Sequence, residues 1–300
     1  MKQIGLRGVP SHYPFLCQWE ITCRCNLRCV MCYTDCYNTP AKIKDELSTA
    51  EILRIMDELA DAGCLELTLT GGEPFARPDF FEIYGHAKAK GFLVSLFTNG
   101  TLLTESVADR LAADPPTRVE ISFHGATPSS FDAITQQHGS YARCRDAIRL
   151  LLQRGIPVVL KTTAMTVNRD EVMSIKRYAE SLGPVVYHIG EELRAGLDGG
   201  EGMFEFQLSP DALERLERED AAVWREACGK QAQDRPVCRS ERQTFHIDAY
   251  GQLQRCSGNR LAGYDLRRGS FQEGFYRFLK DFPCPLKCQD AVATGACAQP

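Results

Sequence analysis

The sequence predicts an α/β fold, a partial (β/α)6 TIM-like barrel followed by a small C-terminal region of β-hairpin and helix. Three observations predict it. Short β-branched runs alternate with longer helical patterns from Cys17 to about Ile189, which is typical of βα units around a parallel sheet. The length of 300 residues suits one barrel-sized domain and a smaller appendage. A content of 44% hydrophobic residues is enough to bury a sizeable core.

Six strands are predicted in this alternating part of the chain, each followed by helical periodicity. Their expected ranges are 18–22, 66–70, 93–98, 118–122, 158–162 and 185–189. Helix starts are indicated by residues typical of caps and first turns: Ser48 with Glu51 as a capping box, Pro78, Thr104, Ser140, and Asn168 or Arg169. A right-handed series of such units closes into a full or partial barrel.

The pattern changes after Ile189. The stretch 191–202 is rich in glycine and charge, which indicates a linker or an active-site loop, and a helix is expected from Ser209 to about Cys228. The runs 245–248 and 252–255 then predict a small hairpin, with a short helix near 271–279. We therefore divide the chain into a barrel core (1–190), a linker and helix (191–230) and a C-terminal domain (231–300).

Charge and hydropathy limit the classes of partner. The formal charge is −4, with both signs mixed along the chain, so the sequence offers no basic field for nucleic acid or for an anionic membrane. We expect neither partner. No apolar run approaches the roughly 20 residues that span a bilayer, and the first residues lack the apolar stretch of a signal peptide. These observations predict a cytoplasmic protein.

The chain has fourteen cysteines, and in a reducing compartment so many thiols indicate metal or iron–sulfur ligation. Cys25, Cys29 and Cys32 have the spacing CxxxCxxC directly after the first predicted strand, at the end of the barrel where active sites are built. Three such thiolates can hold three irons of a 4Fe–4S cluster and leave the fourth iron open. A zinc ribbon and a thioredoxin-type site are the alternatives.

The segment Thr22 to Tyr33 resembles the cluster motif of the radical S-adenosylmethionine (radical SAM) enzymes. Further motifs of that family lie at the ends of successive predicted strands: Gly71-Gly72-Glu73-Pro74 after the second, Thr98-Asn99-Gly100 after the third and Ile121-Ser122-Phe123-His124-Gly125 after the fourth. Each motif alone has an ordinary structural explanation. Their order and placement together favour the family.

The resemblance implies a 4Fe–4S cluster held by Cys25, Cys29 and Cys32, with SAM as its partner. One electron from the cluster would cleave SAM, and a 5′-deoxyadenosyl radical would abstract a substrate hydrogen. The implied donor of that electron is a flavodoxin- or ferredoxin-type protein. The implied SAM-binding residues are Met31, Tyr33, Gly71, Gly72, Glu73, Pro74, Thr98, Asn99, Ser122 and Lys161.

The segment from Cys238 to Cys256 resembles the start of the SPASM/twitch extensions of this family. The resemblance implies one auxiliary 4Fe–4S cluster, with Cys284 and Cys288 as its remaining ligands. A structural zinc site on the same four cysteines is the alternative, and Cys228 or Cys297 are alternative ligands. The later cysteines depart from the full SPASM spacing, so we expect one auxiliary cluster, as in the twitch-type enzymes of aminoglycoside pathways.

The expected function is a radical SAM enzyme of natural-product or antibiotic biosynthesis. If an auxiliary cluster accepts an electron from the substrate radical, oxidation (dehydrogenation) or crosslinking would follow. If a cysteine such as Cys64 or Cys144 returns a hydrogen atom to the substrate radical, the outcome would be epimerisation. The substrate is expected to be a carbohydrate or aminoglycoside-type small molecule, and the alternative is a ribosomally made peptide. Glu191 and Glu192 are candidate catalytic residues, or part of a solvated loop. A scaffold that lacks SAM chemistry is a third hypothesis.

Overall fold

A parallel sheet of six strands forms the centre of the protein in a computed structural model, which describes residues 12–281 except 191, 232–242, 259 and 261. The strands are β1 (Leu16–Glu20), β2 (Glu66–Thr70), β3 (Leu93–Thr98), β4 (Arg118–Ser122), β5 (Val158–Thr163) and β6 (Val186–Gly190). All six predicted strands are present, and β1 begins two residues earlier than expected because Leu16 already pairs with Glu66.

Helices connect consecutive strands. They are α1 (Pro40–Lys44), α2 (Thr49–Asp61), α3 (Phe80–Ala89), α4 (Glu105–Ala113), α5 (Pro128–Thr135), α6 (Ser140–Gln153), α7 (Val172–Ser181), α8 (Pro210–Glu217) and α9 (Ala221–Gln231). The capping box of Ser48 with Glu51 is confirmed, and the Thr104 side chain accepts a hydrogen bond from the Val107 amide.

Three helix predictions need correction. Helix α3 begins at Phe80, because the residues after Pro78 first form a turn. Helix α5 was not predicted; Thr127 caps it and Pro128 occupies its first turn. The single helix expected from Ser209 is two helices, α8 and α9, and the Asp220 carboxylate accepts hydrogen bonds from the first turn of α9.

The predicted hairpin is present as β7 (Thr244–Ile247) and β8 (Gln252–Gln254), which pair antiparallel, with β9 (Tyr264–Asp265) beside β8. The short C-terminal helix consists of α10 (Phe271–Glu273), a π-helical turn (Gly274–Phe278) and α11 (Leu279–Asp281). Strand β7 also pairs parallel with β1. The hairpin therefore joins the barrel core in one sheet of order β6-β5-β4-β3-β2-β1-β7-β8-β9, which does not close.

The two faces of this sheet differ in chemistry. On the convex face, alternate strand residues such as Trp19, Leu69 and Ile121 pack with buried residues of α2 to α7 in one apolar core. The opposite set of residues is polar and includes Glu20, Thr68, Ser95, Glu120, Lys161 and His246, which the strand register places on the concave face. The concave face therefore has the polar groups that a binding site requires.

Candidate functional site

The three cysteines of the CxxxCxxC motif lie on a loop that leaves the carboxyl end of β1. We call residues 23–33 the cluster loop. The Cys32 amide donates to the Cys29 carbonyl at 2.9 Å, and the Val30 amide donates to the Ile134 carbonyl at 2.9 Å. The loop is therefore held against the end of α5, an element that sequence reasoning did not find.

The cysteines of the CxxxCxxC motif are partly buried, which disfavours their thiolate forms. Burial, with Glu73 and Cys32 nearby, raises the pKa of Cys25 to about 12, and burial together with Cys32 and Cys25 raises the pKa of Cys29. A bound cation relieves this cost by stabilising the thiolates. Within the described residues, no three side chains converge on one metal ion. A cubane cluster, which takes each thiolate on a different iron, suits this donor set better than a single zinc ion.

Gly71 and Gly72 are required by the backbone that leads into the cluster loop. A Cβ on Gly72 would lie 2.4 Å from the Arg24 carbonyl oxygen, and one on Gly71, with φ +146°, would lie 2.2 Å from that of Thr22. The Gly72 amide donates to Thr22 O at 2.9 Å. The two glycines thus let the chain after β2 pair with the start of the cluster loop.

Glu73 is fully buried and connects the ends of β2 and β3. Its carboxylate accepts hydrogen bonds from the Thr98 hydroxyl and the Asn99 backbone N–H, each at 2.7 Å, and from the Phe75 backbone N–H at 3.2 Å. Burial raises the pKa of Glu73 to about 7, although these three donors lower it. Both oxygens accept hydrogen bonds from the protein, and the SAM-binding role expected for Glu73 stays a prediction.

Asn99 connects the end of β3 to the cluster loop. The side-chain nitrogen of Asn99 donates to the Cys25 sulfur at 3.8 Å and to the Asn26 side-chain oxygen at 3.1 Å. The side-chain oxygen of Asn99 accepts from the Thr101 backbone N–H at 2.8 Å. Asn26 also donates to Thr101 at 2.8 Å. Asn26 and Thr101 were missed as site residues, although Asn26 lies within the predicted cluster motif and Thr101 directly follows Thr98-Asn99-Gly100.

Met31 and Tyr33 lie in different surroundings. Met31 packs with the buried residues Ile134, Met165 and Leu193 in an apolar cluster, and its expected role in SAM binding stays a prediction. Tyr33 instead has the guanidinium carbons of Arg194 and Arg260 at 5.8 Å and 5.7 Å from its ring centroid. The arginines give Tyr33 charged neighbours that sequence reasoning did not anticipate.

The remaining predicted SAM-binding residues also lie at strand ends. Pro74 is buried and opens a 3-10 turn, Pro74–Ala76. Ser122 of β4 pairs in register with Lys161 of β5. The Lys161 ammonium forms an ion pair with Glu120 and stands 3.9 Å above the Phe97 ring centroid. The structure therefore brings these residues to the same end of the sheet as the cluster loop.

Glu46 holds the start of the cluster loop and was missed by sequence reasoning. Its buried Oε1 accepts from the Thr22 hydroxyl at 2.7 Å, the Cys23 amide at 2.7 Å and the Cys23 thiol at 3.1 Å. Its Oε2 lies 3.2 Å from Arg24 Nε. Glu46 lies three residues before the first residue of α2, and no local sequence signal separates it from an ordinary exposed glutamate.

The other candidate residues lie apart from this network or outside the described residues. Glu192 is exposed just after β6, and Glu191 lies outside the described residues, as do Cys238, Cys284, Cys288 and Cys297. Cys256 is half-buried after β8, and Cys228 is half-buried on α9. Cys64 and Cys144 belong to the apolar core on the convex face, which is a packing role rather than hydrogen donation to a substrate.

Comparison with known proteins gives a family match. The family model of the Radical SAM superfamily matches residues 19–179. The AdoMet-dependent heme synthase of Methanosarcina barkeri is 37% identical over 206 residues, which cover 69% of this chain and 57% of that protein. The PqqA peptide cyclase of Granulibacter bethesdensis is 30% identical over 164 residues, which cover 55% of this chain and 43% of that protein.

Among solved structures, Streptococcus suis SuiB bound to S-adenosylmethionine superposes with a TM-score of 0.72 at 13% identity, over 94% of this chain and 71% of that one. This likeness shows the shared fold. The chain spans about half the length of the curated relatives it matches. Over the part of the chain that the structure describes, no helix is both long and apolar enough to cross a membrane.

Proposed function

The chain belongs to the radical SAM superfamily, and on that basis we propose that it abstracts a hydrogen atom from a peptide substrate. The observation that carries the proposal is the placement of Cys25, Cys29 and Cys32 on one loop after β1, beside the motifs at the ends of β2, β3 and β4. When bound, a 4Fe–4S cluster supplies the electron that cleaves SAM, and the resulting 5′-deoxyadenosyl radical removes the hydrogen.

The residues of this chain would bind and orient these groups. Cys25, Cys29 and Cys32 would hold the cluster. Asn99 would orient Cys25 through its 3.8 Å hydrogen bond to the sulfur. The other strand-end residues would shape the SAM site; they are Gly71, Gly72, Glu73, Pro74, Thr98, Ser122 and Lys161. Met31 would lie against the adenine, and Tyr33 would lie beside the two arginines. The buried setting would keep water away from the radical.

A peptide substrate is favoured over the carbohydrate or aminoglycoside-type molecule that the sequence led us to expect. The support is a relative named for a peptide, the PqqA peptide cyclase, at 30% identity. A heme synthase at 37% identity favours a large cyclic substrate as the second candidate. Neither relative supports epimerisation or antibiotic biosynthesis, so we propose an oxidative or crosslinking outcome.

We also propose an auxiliary 4Fe–4S cluster on Cys238, Cys256, Cys284 and Cys288, and a flavodoxin- or ferredoxin-type electron donor. Cys256 supports the first of these proposals because it lies half-buried just after β8 of the predicted hairpin. Glu191 and Glu192 remain candidate acid–base residues.

The test is SAM cleavage by the anaerobically reconstituted protein, with Cys29→Ala and Cys36→Ala as matched variants. Both cysteines are half-buried, Cys29 in the cluster loop and Cys36 just after it, and the Cys36 thiol donates a hydrogen bond to the Tyr33 carbonyl at 3.8 Å. We expect Cys29→Ala to lose about four irons per chain and all formation of 5′-deoxyadenosine. Cys36→Ala should keep both. Cleavage that persists in Cys29→Ala contradicts the proposal.

The substrate class is tested by deuterium transfer into 5′-deoxyadenosine. A deuterated peptide, encoded next to the gene of this protein, should transfer its deuterium into 5′-deoxyadenosine. Transfer from a deuterated cyclitol, with none from the peptide, would return the assignment to a small-molecule substrate.

A further inference from the structure

A group of charged side chains lies on the concave face of β4 and β5, before the strand ends that carry the predicted SAM motifs. Arg118 and Glu120 are two residues apart on β4, so both point to this face. Lys161 of β5 shares the face because it pairs in register with Ser122. Glu120 precedes Ser122 by two residues, which is about 7 Å along the strand. A substrate on the concave face, beside the strand ends, is therefore within reach of these charges.

The Glu120 carboxylate is shared by two cations. Arg118 Nε donates to Glu120 Oε1 at 2.6 Å, and the Lys161 ammonium forms an ion pair with Oε2 of the same carboxylate. Glu120 is buried, whereas the side chains of Arg118 and Lys161 are 31% and 39% exposed. Two positive groups and one negative group give a net charge of +1, and the exposed groups are the positive ones.

The cations of this face have donors that the protein does not use. Both terminal nitrogens of Arg118 lack a hydrogen-bond acceptor among the described residues. His188 of β6 pairs in register with Lys161 and is exposed, and its ring forms no hydrogen bond or ion pair within the described part of the chain. The concave side of β4 to β6 thus offers accessible N–H donors to a negatively charged ligand.

The other acidic residues of the parallel strands do not neutralise this charge. Strands β1 to β6 contain two further carboxylates, Glu20 and Glu66. Glu20 accepts hydrogen bonds from both terminal nitrogens of Arg260. Glu66 begins β2, two strands away from β4, and over the described residues it forms no ion pair with Arg118 or Lys161. The excess of positive charge at β4 and β5 therefore remains available.

The residues in register with Glu120 across β3, β5 and β6 are apolar: Phe97, Val159 and Val186. The Lys161 Nζ stands 3.9 Å above the Phe97 ring centroid, and Val186 on the edge strand is 51% exposed. A carboxylate carried on an aliphatic chain can place its charge on Arg118 and its methylene groups along this row. An inorganic anion has no use for the apolar part, so the row favours an organic acid.

We propose that Arg118, with Lys161 beside it, binds an organic carboxylate of the substrate, which is an Asp or Glu side chain or a free C-terminal carboxylate. The proposal rests on the proposed function and names the charge of the group that the peptide presents. Arg118 is the specificity-determining residue, because the terminal nitrogens of a guanidinium lie in one plane and can donate to both oxygens of a carboxylate. A carboxylate held here fixes the peptide next to the strand ends.

The test compares two probes of equal size and different charge, N-acetylglutamate N-methylamide and N-acetylglutamine N-methylamide. Their binding to the anaerobically reconstituted protein is measured by saturation-transfer NMR titration, with SAM present and no reductant, so that SAM occupies its own site and is not cleaved. We expect the wild type to bind the glutamate probe about tenfold more tightly than the glutamine probe, the effect of a charge-assisted hydrogen bond. N-acetylalanine and its N-methylamide test a C-terminal carboxylate in the same way. The pair of probes that shows the preference identifies the source of the carboxylate.

Three variants separate carboxylate binding from a structural role of the same residues. Arg118→Gln should abolish the preference for the charged probe and leave binding of the neutral probe unchanged. Glu120→Gln should increase the preference, because it frees both cations, whereas loss of a purely structural ion pair would not. The matched control is Arg218→Gln just after α8, since Arg218 Nε also donates to a glutamate, at 2.9 Å. This control should keep the wild-type preference. If Arg118→Gln does not fold, Glu120→Gln decides alone.

Equal binding of the charged and neutral probes by the wild type overturns the proposal, as does an unchanged preference in Arg118→Gln. Displacement of the charged probe by an equal concentration of inorganic phosphate also overturns it, because the site would then accept any anion. SAM cleavage is measured separately on the same samples after a reductant is added. Loss of cleavage with intact discrimination between the probes would reject the proposed function and leave the carboxylate site standing.

Discussion

At the scale of single residues, the predicted motifs connect parts of the protein to one another. Gly72 fits against the Arg24 carbonyl, Glu73 binds the end of β3, and Asn99 reaches the Cys25 sulfur. Each motif is therefore required by the architecture around the cluster loop before any cofactor is bound. A substitution at one of these positions should change the binding of iron as well as catalysis.

Gly72→Ala should reduce the iron bound per chain after reconstitution, because its Cβ would lie 2.4 Å from a backbone carbonyl that cannot move independently. The matched control is Gly85→Ala on α3, where a Cβ meets nothing within 4 Å. That control should gain about 0.5–1 kcal/mol of stability, since alanine suits a helix better than glycine. Equal iron content in the two variants would contradict this role of Gly72.

Arg260→Met should destabilise the protein by about 3–5 kcal/mol near neutral pH, because it leaves the buried Glu20 carboxylate without its bidentate partner. Burial alone would raise the pKa of Glu20, but His246 and Arg260 outweigh it and lower the pKa from 4.5 to about 2. The stability that depends on ionised Glu20 is therefore complete above pH 4.5 and is lost as pH falls toward 2.

Urea unfolding at several pH values checks this prediction. The deficit of Arg260→Met relative to wild type should shrink as the pH falls below 4.5. The double variant Glu20→Gln/Arg260→Met should be more stable than Arg260→Met at neutral pH. A deficit that does not change with pH or with Glu20→Gln would show that Arg260 acts through packing alone.

At the scale of elements, local sequence signals predicted the strands well and the network around them poorly. Strands β2, β3 and β4 were predicted at their observed bounds, because β-branched runs end there in glycine, asparagine or serine motifs. Helix α5 was missed because it is short and begins within a turn motif at Thr127. The role of Glu46 depends on contacts with Thr22 and Cys23, more than twenty residues away in the chain, which no local pattern reports.

Glu46→Ala should speed the loss of iron from the reconstituted protein to a chelator. The variant leaves the Cys23 amide and the Thr22 hydroxyl without their acceptor, and each buried donor left unpaired costs about 1–3 kcal/mol. The exposed Asp61→Ala, at the end of α2, is the matched control and should release iron at the wild-type rate. Identical rates in all three proteins would mean that the cluster loop is held without Glu46.

At the scale of the whole molecule, the hairpin and the barrel share one sheet and one core. Phe245 and Ile247 of β7 pack in the same apolar core as Trp19 of β1. The expected boundary at residue 231 therefore separates two parts of the chain whose buried surfaces are continuous. This contact was beyond sequence reasoning, because a parallel pair between β1 and β7 joins segments with the whole barrel between them.

Phe245→Ala should lower the free energy of unfolding of the entire described sheet by about 3–5 kcal/mol, the usual cost of removing a buried phenylalanine. Unfolding in urea should remain a single transition when it is followed by circular dichroism and by tryptophan fluorescence, to which Trp19 on β1 and Trp224 on α9 both contribute. Two separate transitions, of which Phe245→Ala shifts the earlier and leaves the later unchanged, would show that the C-terminal domain unfolds independently.

The pairing of β1 with β7 also has a consequence for how the protein is made. Leu16 leaves the ribosome 228 residues before its partner Thr244. Until then, one edge of β1 has no neighbour and its hydrogen-bonding groups are open to other chains. The sheet is therefore completed only after β7 has been made, so β1, which leads into the loop with the three cysteines, gains its second neighbour late.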